Sequence, residues 1–470
     1  MTDNFTLSNV TCLDTAKSSH PISTGIGFFD HMIDQLNSHA QVGVSVTVTK
    51  KSDGTNCIVD KKNDHHSFEV VNRYANENQC EIMNAVGTAL GTELKKLIYG
   101  DGNNNNNEQR TSRFCCPLDE ALVECILTTT TTITVTSSNG DNEEEEGGKL
   151  VQFTLPPYGK YPNKTGRTTI GTMKTQYVQN FFTSLARSSG VHISLIKIRG
   201  DNGHHVVESA FKAYSRALRN LLDGTNTNND DDYTCTNLSS MWGMNSNSYK
   251  ASLELGREGK LQRSTKETSI LVHVMLNGLQ VANNEEEKDE SLPIRVDTGI
   301  KTVDQFVSIL AKESMMSIVC QCNGDLYVDD HHTAEDVSIA LGQVLNTALG
   351  TKAGLNRMWC ARGTYGDAEV EVTMDLSNRP CLTHNLSLSC NPKNEEYAGD
   401  LSVEMLDHVL HSLVENSRST VHIVEMKVGK NVLETALATA MAFGKALRMC
   451  AAVDPRRAGK TASSKGTLSV

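Results

Sequence analysis

The strongest constraint on this chain of 470 residues is that it repeats itself. Around Thr24 it reads TGIGFFDHM and around Thr298 it reads TGIKTVDQF. The DHH at Asp64 to His66 returns at Asp330 to His332, GTALG at Gly87 to Gly91 answers NTALG at Asn346 to Gly350, and VHI recurs at His192 and His422. A repeat of this period means that one folded unit occurs twice, each with its own core. Length asks for the same, because single cores stop growing beyond roughly 250–300 residues. The expected division is a first copy over 1–222, a polar linker over 223–248 and a second copy over 249–470.

Inside each copy a weaker repeat shows: an apolar-periodic helix, an alternating strand, a polar turn and a second helix. Phe28 to His39, Val42 to Val48 and a helix from His65 onward form one instance; Phe181 to Arg187, Val191 to Ile198 and His204 to Leu221 form the next. This pattern predicts an α+β fold, each copy holding two modules of a small mixed or antiparallel sheet backed by two helices, four modules per chain. Asn103 to Asn107, Ser137 to Gly148, Thr225 to Asp232 and Asn283 to Glu290 are too polar to build a core and are expected as loops.

Composition narrows the partners. A net charge of −12 without a basic stripe opposes binding to a phosphate backbone, and 5% aromatic residues argue against a platform for stacked bases. The runs Glu143 to Glu146 and Glu285 to Glu287 are expected as solvated loop. No apolar stretch reaches the roughly 20 residues of a membrane helix, so no membrane partner is expected. Thirteen cysteines without a CxxC pair fit a soluble protein with reduced thiols. The compartment is then the cytoplasm, or a plastid if a transit peptide has been removed.

Two helices carry chemistry. In GDNGHHVVESAFKAYSRALRNLL, His204 and Glu208 stand four apart and share a face, while His205 is turned aside by about 100°. In DDHHTAEDVSIALGQVL, His331 and Glu335 repeat the pair and His332 is the one turned aside. A single HHxxE is as readily a surface or capping pair. Two copies in matched contexts make a dinuclear metal site the better expectation.

These segments, DHM beside TGIGF, DDHHTAED, PLDEAL and HHVVESAFKA, resemble the motifs of the imidazoleglycerol-phosphate dehydratase family, and the resemblance runs over nearly the whole chain. It implies conversion of D-erythro-imidazole glycerol phosphate to imidazole acetol phosphate in histidine biosynthesis, by β-elimination of water. It further implies two manganese ions holding the imidazole ring, an active site between subunits, and self-association into a symmetric shell of about twelve such fused chains.

Neither copy keeps the full family set. The first keeps His31, PLDEAL at Pro117 to Leu122, and His204, His205, Glu208 and Lys212; the second has Gln305, Leu433, Glu434, Leu437 and Met441 in their places. The second keeps STKET, where Glu267 matches the family's glutamate near the reacting carbon and the first copy has Asn4. It also keeps NRP with Arg379, where the first has Thr132, and a terminal SSKG with Ser463 and Lys465 that the first lacks. The complementary losses imply one hybrid site per chain. Its metal ligands would be His31, His204, His205, Glu208, His331, His332 and Glu335, completed by one strand histidine, His192 or His422.

Glu267 would serve as base, and Lys212, Arg379, Ser463 and Lys465 would hold the phosphate, joined by Arg113 or Arg357. Asp119 and Glu120 belong either to the site or to a structural salt bridge. A first HHxxE, His65, His66 and Glu69, is followed by a longer stretch before its ALG than the second copy has; it is expected outside the ligand set, the alternative being a live motif beside a longer loop. The rival to an enzyme is a pseudoenzyme that assembles and binds metal in a scaffolding or regulatory role, for which scattered rather than complementary losses are expected. A metal buffer would need neither Glu267 nor the SSKG tail.

Overall fold

The computed structural model describes residues 5–13, 21–50, 74–100, 109–129, 150–162, 166–224, 257–276, 294–388, 393–457, 460–461, 463 and 468. His65, His66, Glu69, Lys465, Asn4, Thr132 and the expected linker from residue 225 onward lie outside the described residues. The chain divides into two units, Met1–Cys115 with Ala121–Asn229 and Cys116–Glu120 with Asp230–Val470.

The first unit holds two modules. One comprises β1 (Phe5–Leu13), β2 (Ile22–Ser23), α1 (Gly27–Gln35) running into a π-helical turn (Leu36–Ala40), β3 (Gly43–Lys50) and α2 (Gln79–Tyr99), with sheet order β1-β3-β2. The other comprises β4 (Thr111–Leu118), β5 (Ala121–Thr129), β6 (Val151–Thr154), the short pair β7 (Thr169–Ile170) and β8 (Met173–Lys174), α3 (Val178–Ser189), β9 (Val191–Arg199) and α4 (Gly203–Leu222), ordered β4-β5-β9-β6. β9 runs antiparallel to β5 and parallel to β6. A parallel pair cannot be joined by a hairpin, and α3 supplies the crossover.

The second unit repeats the plan twice. Its elements are β10 (Glu258–Ser264), β11 (Thr268–Met275), β12 (Ile294–Asp297), α5 (Lys301–Ser314), β13 (Ser317–Gly324) and α6 (His331–Leu349), then β14 (Met358–Tyr365), β15 (Ala368–Asp375), β16 (Cys381–His384), β17 (Tyr397–Ala398), β18 (Leu401–Ser402), α7 (Val403–Ser417), β19 (Thr420–Lys427) and α8 (Val432–Ala451). The sheets run β10-β11-β13-β12 and β14-β15-β19-β16, again with the parallel edge strand joined through a helix. The four α+β modules expected from periodicity are therefore present, each a mixed sheet with helices.

Local chemistry explains why the repeats persist. In TGIGFFD the Asp30 carboxylate accepts from Thr24 N at 2.8 Å and from Thr24 Oγ1 at 2.6 Å, pinning the strand end to the first turn of α1. In TGIKTVD, Asp304 does the same for Thr298 at 2.8 and 2.7 Å. Strands β9 and β11 bury alternate apolar residues, Val191, Ile193 and Leu195 in one and Ile270, Val272 and Val274 in the other. Helix α4 is buried almost all round, with Val206, Val207, Ala210, Phe211, Tyr214 and Leu218 inaccessible, as expected of a helix packed on more than one side.

Helices α6 and α7 approach closely at Gly342, where an added Cβ would stand 2.8 Å from Leu413 O and 2.7 Å from Asn416 Cβ. Gly342 lies three turns beyond His331 on the same helix face, so this crossing sets how near α6 brings its histidine to α7. Gly342→Ala is expected to lower stability by about 1–3 kcal/mol through overpacking, measured as a lower urea midpoint with an unchanged m-value.

Candidate metal centre

In the first unit α4 presents His204, Glu208 and Lys212 one turn apart. Asn202 caps the helix, its Oδ1 accepting from His204 N at 3.0 Å, which fixes where the first turn begins. Glu208 stands at the centre: His204 Nε2 is 3.1 Å from Oε2, Lys212 Nζ is 2.9 Å from Oε1, and His31 Nε2 from α1 is 3.9 Å from Oε1. Burial alone would raise the Glu208 carboxyl, but the His204 hydrogen bond, the Lys212 ammonium and His31 hold it well below the usual carboxylate range. Burial pushes the His31 imidazole down, partly offset by Glu208. The rings of His204 and His205 stand nearly perpendicular with centroids 5.9 Å apart, so the neighbouring histidine addresses a different direction.

The second unit builds a matching cluster from α6 and α7. His331 Nε2 is 3.4 Å from Glu335 Oε2, and His408 Nε2 is 3.1 Å from Glu335 Oε1. The His331 and His408 rings lie 5.4 Å apart, and donor atoms of all three residues fall within 4.8 Å of one another. Ligand atoms about 2.0–2.2 Å from a shared ion stand about 3 Å apart, so the spacing fits a metal, and imidazole with carboxylate suits manganese, zinc or iron. His332 is turned aside, its Nδ1 3.1 Å from Asp325 Oδ2. That hydrogen bond raises the His332 pKa and leaves Nε2 pointing away from the carboxylate, the arrangement by which an outer carboxylate orients a metal-bound imidazole.

Comparison with known proteins finds the same family in both copies of the chain. The family model described as Imidazoleglycerol-phosphate dehydratase matches residues 24–218 and again residues 298–447. The chain belongs to that family. The chloroplastic imidazoleglycerol-phosphate dehydratase 1 of Arabidopsis thaliana is 35% identical over 222 residues, 47% of this chain and 76% of that protein. The Neisseria gonorrhoeae imidazoleglycerol-phosphate dehydratase is 37% identical over 212 residues, 45% of this chain and 64% of that protein, so the chain spans just under two thirds of it. A solved Pyrococcus furiosus structure of the family aligns with a TM-score of 0.35 at 23% identity, covering 44% of this chain and 99% of that one.

Within the second cluster, His408 was not among the residues singled out from the sequence. Aligning Ser184–Leu185 with Ser412–Leu413 puts Asn180 of the first copy opposite His408, one more position at which the two copies differ. The strand histidines lie elsewhere. His422 is fully buried in β19 with Nε2 2.7 Å from Asp119 O, and it is not part of the His331 cluster. His192 sits in β9 opposite Thr128.

Glu267 tips the turn between β10 and β11. Thr265 Oγ1 accepts from Glu267 N at 3.1 Å and Thr268 N at 3.0 Å. Asp336, next to Glu335, binds this turn to α6 through Thr268 Oγ1 at 2.6 Å and Arg263 Nη1 at 2.6 Å. Of the phosphate candidates, Lys212 lies against Glu208, and Arg379 is half-exposed with Nε 2.8 Å from Asp119 Oδ1. Arg357 is buried and held twice by Asp375, at 2.7 and 2.8 Å, and Arg113 pairs with Glu124 at 2.6 Å across its hairpin; both guanidiniums are thus engaged by carboxylates. Ser463 N donates to Thr461 O at 2.8 Å. Among the described residues no helix is long and apolar enough to cross a membrane.

Asp325→Asn removes the carboxylate behind His332 without touching either three-residue cluster. It is expected to weaken manganese binding by about 10–100-fold, read by titration with manganese followed by electron paramagnetic resonance.

Proposed function

We propose that this chain dehydrates imidazole glycerol phosphate to imidazole acetol phosphate, the reaction of its family in histidine biosynthesis, at a dinuclear centre assembled from ligands of both copies. The observation that carries the reading is reciprocal incompleteness. The first unit groups His31, His204 and Glu208, the second groups His331, Glu335 and His408, and each turns one histidine of its HH pair, His205 or His332, out of its own cluster. Exchanging those two gives each ion three imidazoles and one carboxylate, with His408 in the place expected for a strand histidine.

Two manganese ions held this way would polarise the substrate's imidazole ring and make the adjoining carbon-bound proton more acidic. The remaining work falls to the chain's own groups. Glu267 takes that proton, and its turn is fixed to the helix of His332 through Asp336, so base and ligand move together. Arg379, Ser463, Lys465 and Lys212 hold the phosphate as charged and hydroxyl donors. Lys212 also neutralises Glu208, which keeps that carboxylate ionised in a buried setting. Assembly into a shell of about twelve chains follows the family pattern, and the chloroplastic name of the Arabidopsis relative favours a plastid.

Metal content and turnover, measured together on the full chain, test this. About two manganese ions per chain are expected, with turnover falling by at least ~10²-fold in His204→Ala, His331→Ala and His408→Ala and spared in His65→Ala and His192→Ala. Glu267→Gln should lower kcat by about 10²–10⁴-fold with metal content unchanged. Metal binding without turnover in the unmutated protein would favour the pseudoenzyme reading instead.

A further inference from the structure

The geometry points to a second divalent-metal site in the second unit, formed by His384, Asp407 and His411 and separate from the His331 cluster. His384 stands at the end of β16, and Asp407 and His411 stand one turn apart on α7. His384 Nε2 is 2.6 Å from Asp407 Oδ1, His411 Nε2 is 3.9 Å from the same oxygen, and the two rings are 6.4 Å apart. One donor atom from each residue lies within 4.8 Å of the others, as in the His331, Glu335 and His408 group.

The trio is peculiar to the second copy. The Ser-Leu alignment that pairs Asn180 with His408 puts Gln179 opposite Asp407 and Thr183 opposite His411. In the sheets, Val151 faces Ile193 as His384 faces Ile423, so Val151 holds the position of His384 in the first copy. Three donors brought together from a strand and a helix, none of them shared with the other copy, are not a by-product of the repeat.

Two imidazoles and one carboxylate, with solvent for the remaining position, suit zinc and similar borderline ions. Around a tetrahedral ion with bonds of about 2.0–2.1 Å, donors stand roughly 3.3 Å apart. Entry of an ion therefore opens the 2.6 Å pair and draws His411 inward, and the side chains of Asp407 and His411, 44% and 52% exposed, have room to turn. Binding at His384 Nε2 shifts its ring proton to Nδ1 and gives up the long 3.3 Å contact that Nδ1 accepts from Leu386 N, a small loss against three ligand bonds. Consecutive helix residues diverge by about 100°, which is why Asp407 serves this cluster while His408 reaches Glu335. An ion here would clamp α7 to β16.

The test is zinc binding to the full chain, followed by calorimetry and elemental analysis, in the unmutated protein and in His331→Ala, His411→Ala and Asp407→Asn. His331→Ala should keep this zinc, whereas His411→Ala and Asp407→Asn should each weaken it at least ~10-fold while leaving dehydratase turnover unchanged. Cobalt substituted into His331→Ala should give visible absorption that the double variant His331→Ala/His411→Ala lacks. Equal zinc uptake and affinity in the unmutated protein and His411→Ala would overturn the site. So would an Asp407→Asn variant that loses thermal stability but no zinc, which would make the trio a hydrogen-bonded brace and nothing more.

Discussion

A carboxylate placed between imidazoles on neighbouring helices governs the arrangement of each unit. Removing such a group from water costs several kcal/mol unless partners surround it. Glu208 is only 8% exposed, and His204, His31 and Lys212 supply those partners at 2.9–3.9 Å. Glu335 is more open and, among the described residues, pairs with His331 and His408. Helix spacing puts the first histidine on the carboxylate's face, but only the packing of a second helix brings the other, as the α6–α7 crossing does for His408.

The same requirement explains why residues disappear in groups. Helix α8 has Leu437 and Met441 where α4 has Glu208 and Lys212. Once the carboxylate is gone, a buried ammonium has nothing to neutralise it, and an apolar side chain becomes the stable choice. Leu437 accordingly lies in the core, 1% exposed. Glu434, in the place of one histidine, has taken up a backbone role, its Oε2 accepting from Lys430 N at 2.8 Å and Asp367 N at 3.1 Å. These positions read as repacked structure rather than as random damage.

Much of this was legible in the sequence because it is local. Period 3.6 and period 2 identified helices and strands in both modules of the first copy, and the i, i+4 spacing placed His204 with Glu208 and His331 with Glu335. What escaped depends on distant partners. The VHI repeat made His192 and His422 attractive as ligands, yet the strands carrying them occupy equivalent sheet positions, His192 opposite Thr128 and His422 opposite Thr373, so the repeat reflects the fold. His408 sits among apolar residues spaced as an ordinary amphipathic helix, and nothing local distinguishes it until α6 is laid beside it. The pairing of Arg357 with Asp375, eighteen residues away across β14 and β15, was likewise not legible in the local sequence.

Asp336 shows how such long-range wiring divides labour between neighbouring residues. Glu335 and Asp336 are consecutive acids on α6, pointing in directions about 100° apart. One faces the histidines; the other holds Thr268 and Arg263 at 2.6 Å each and so anchors the turn of Glu267. A flexible turn would lose the orientation that makes a general base effective, since misplacement by about 1 Å can cost on the order of 10²-fold in rate. The acidic pair in HHTAED therefore couples the His331, Glu335 and His408 cluster to the proposed base through a single helical turn.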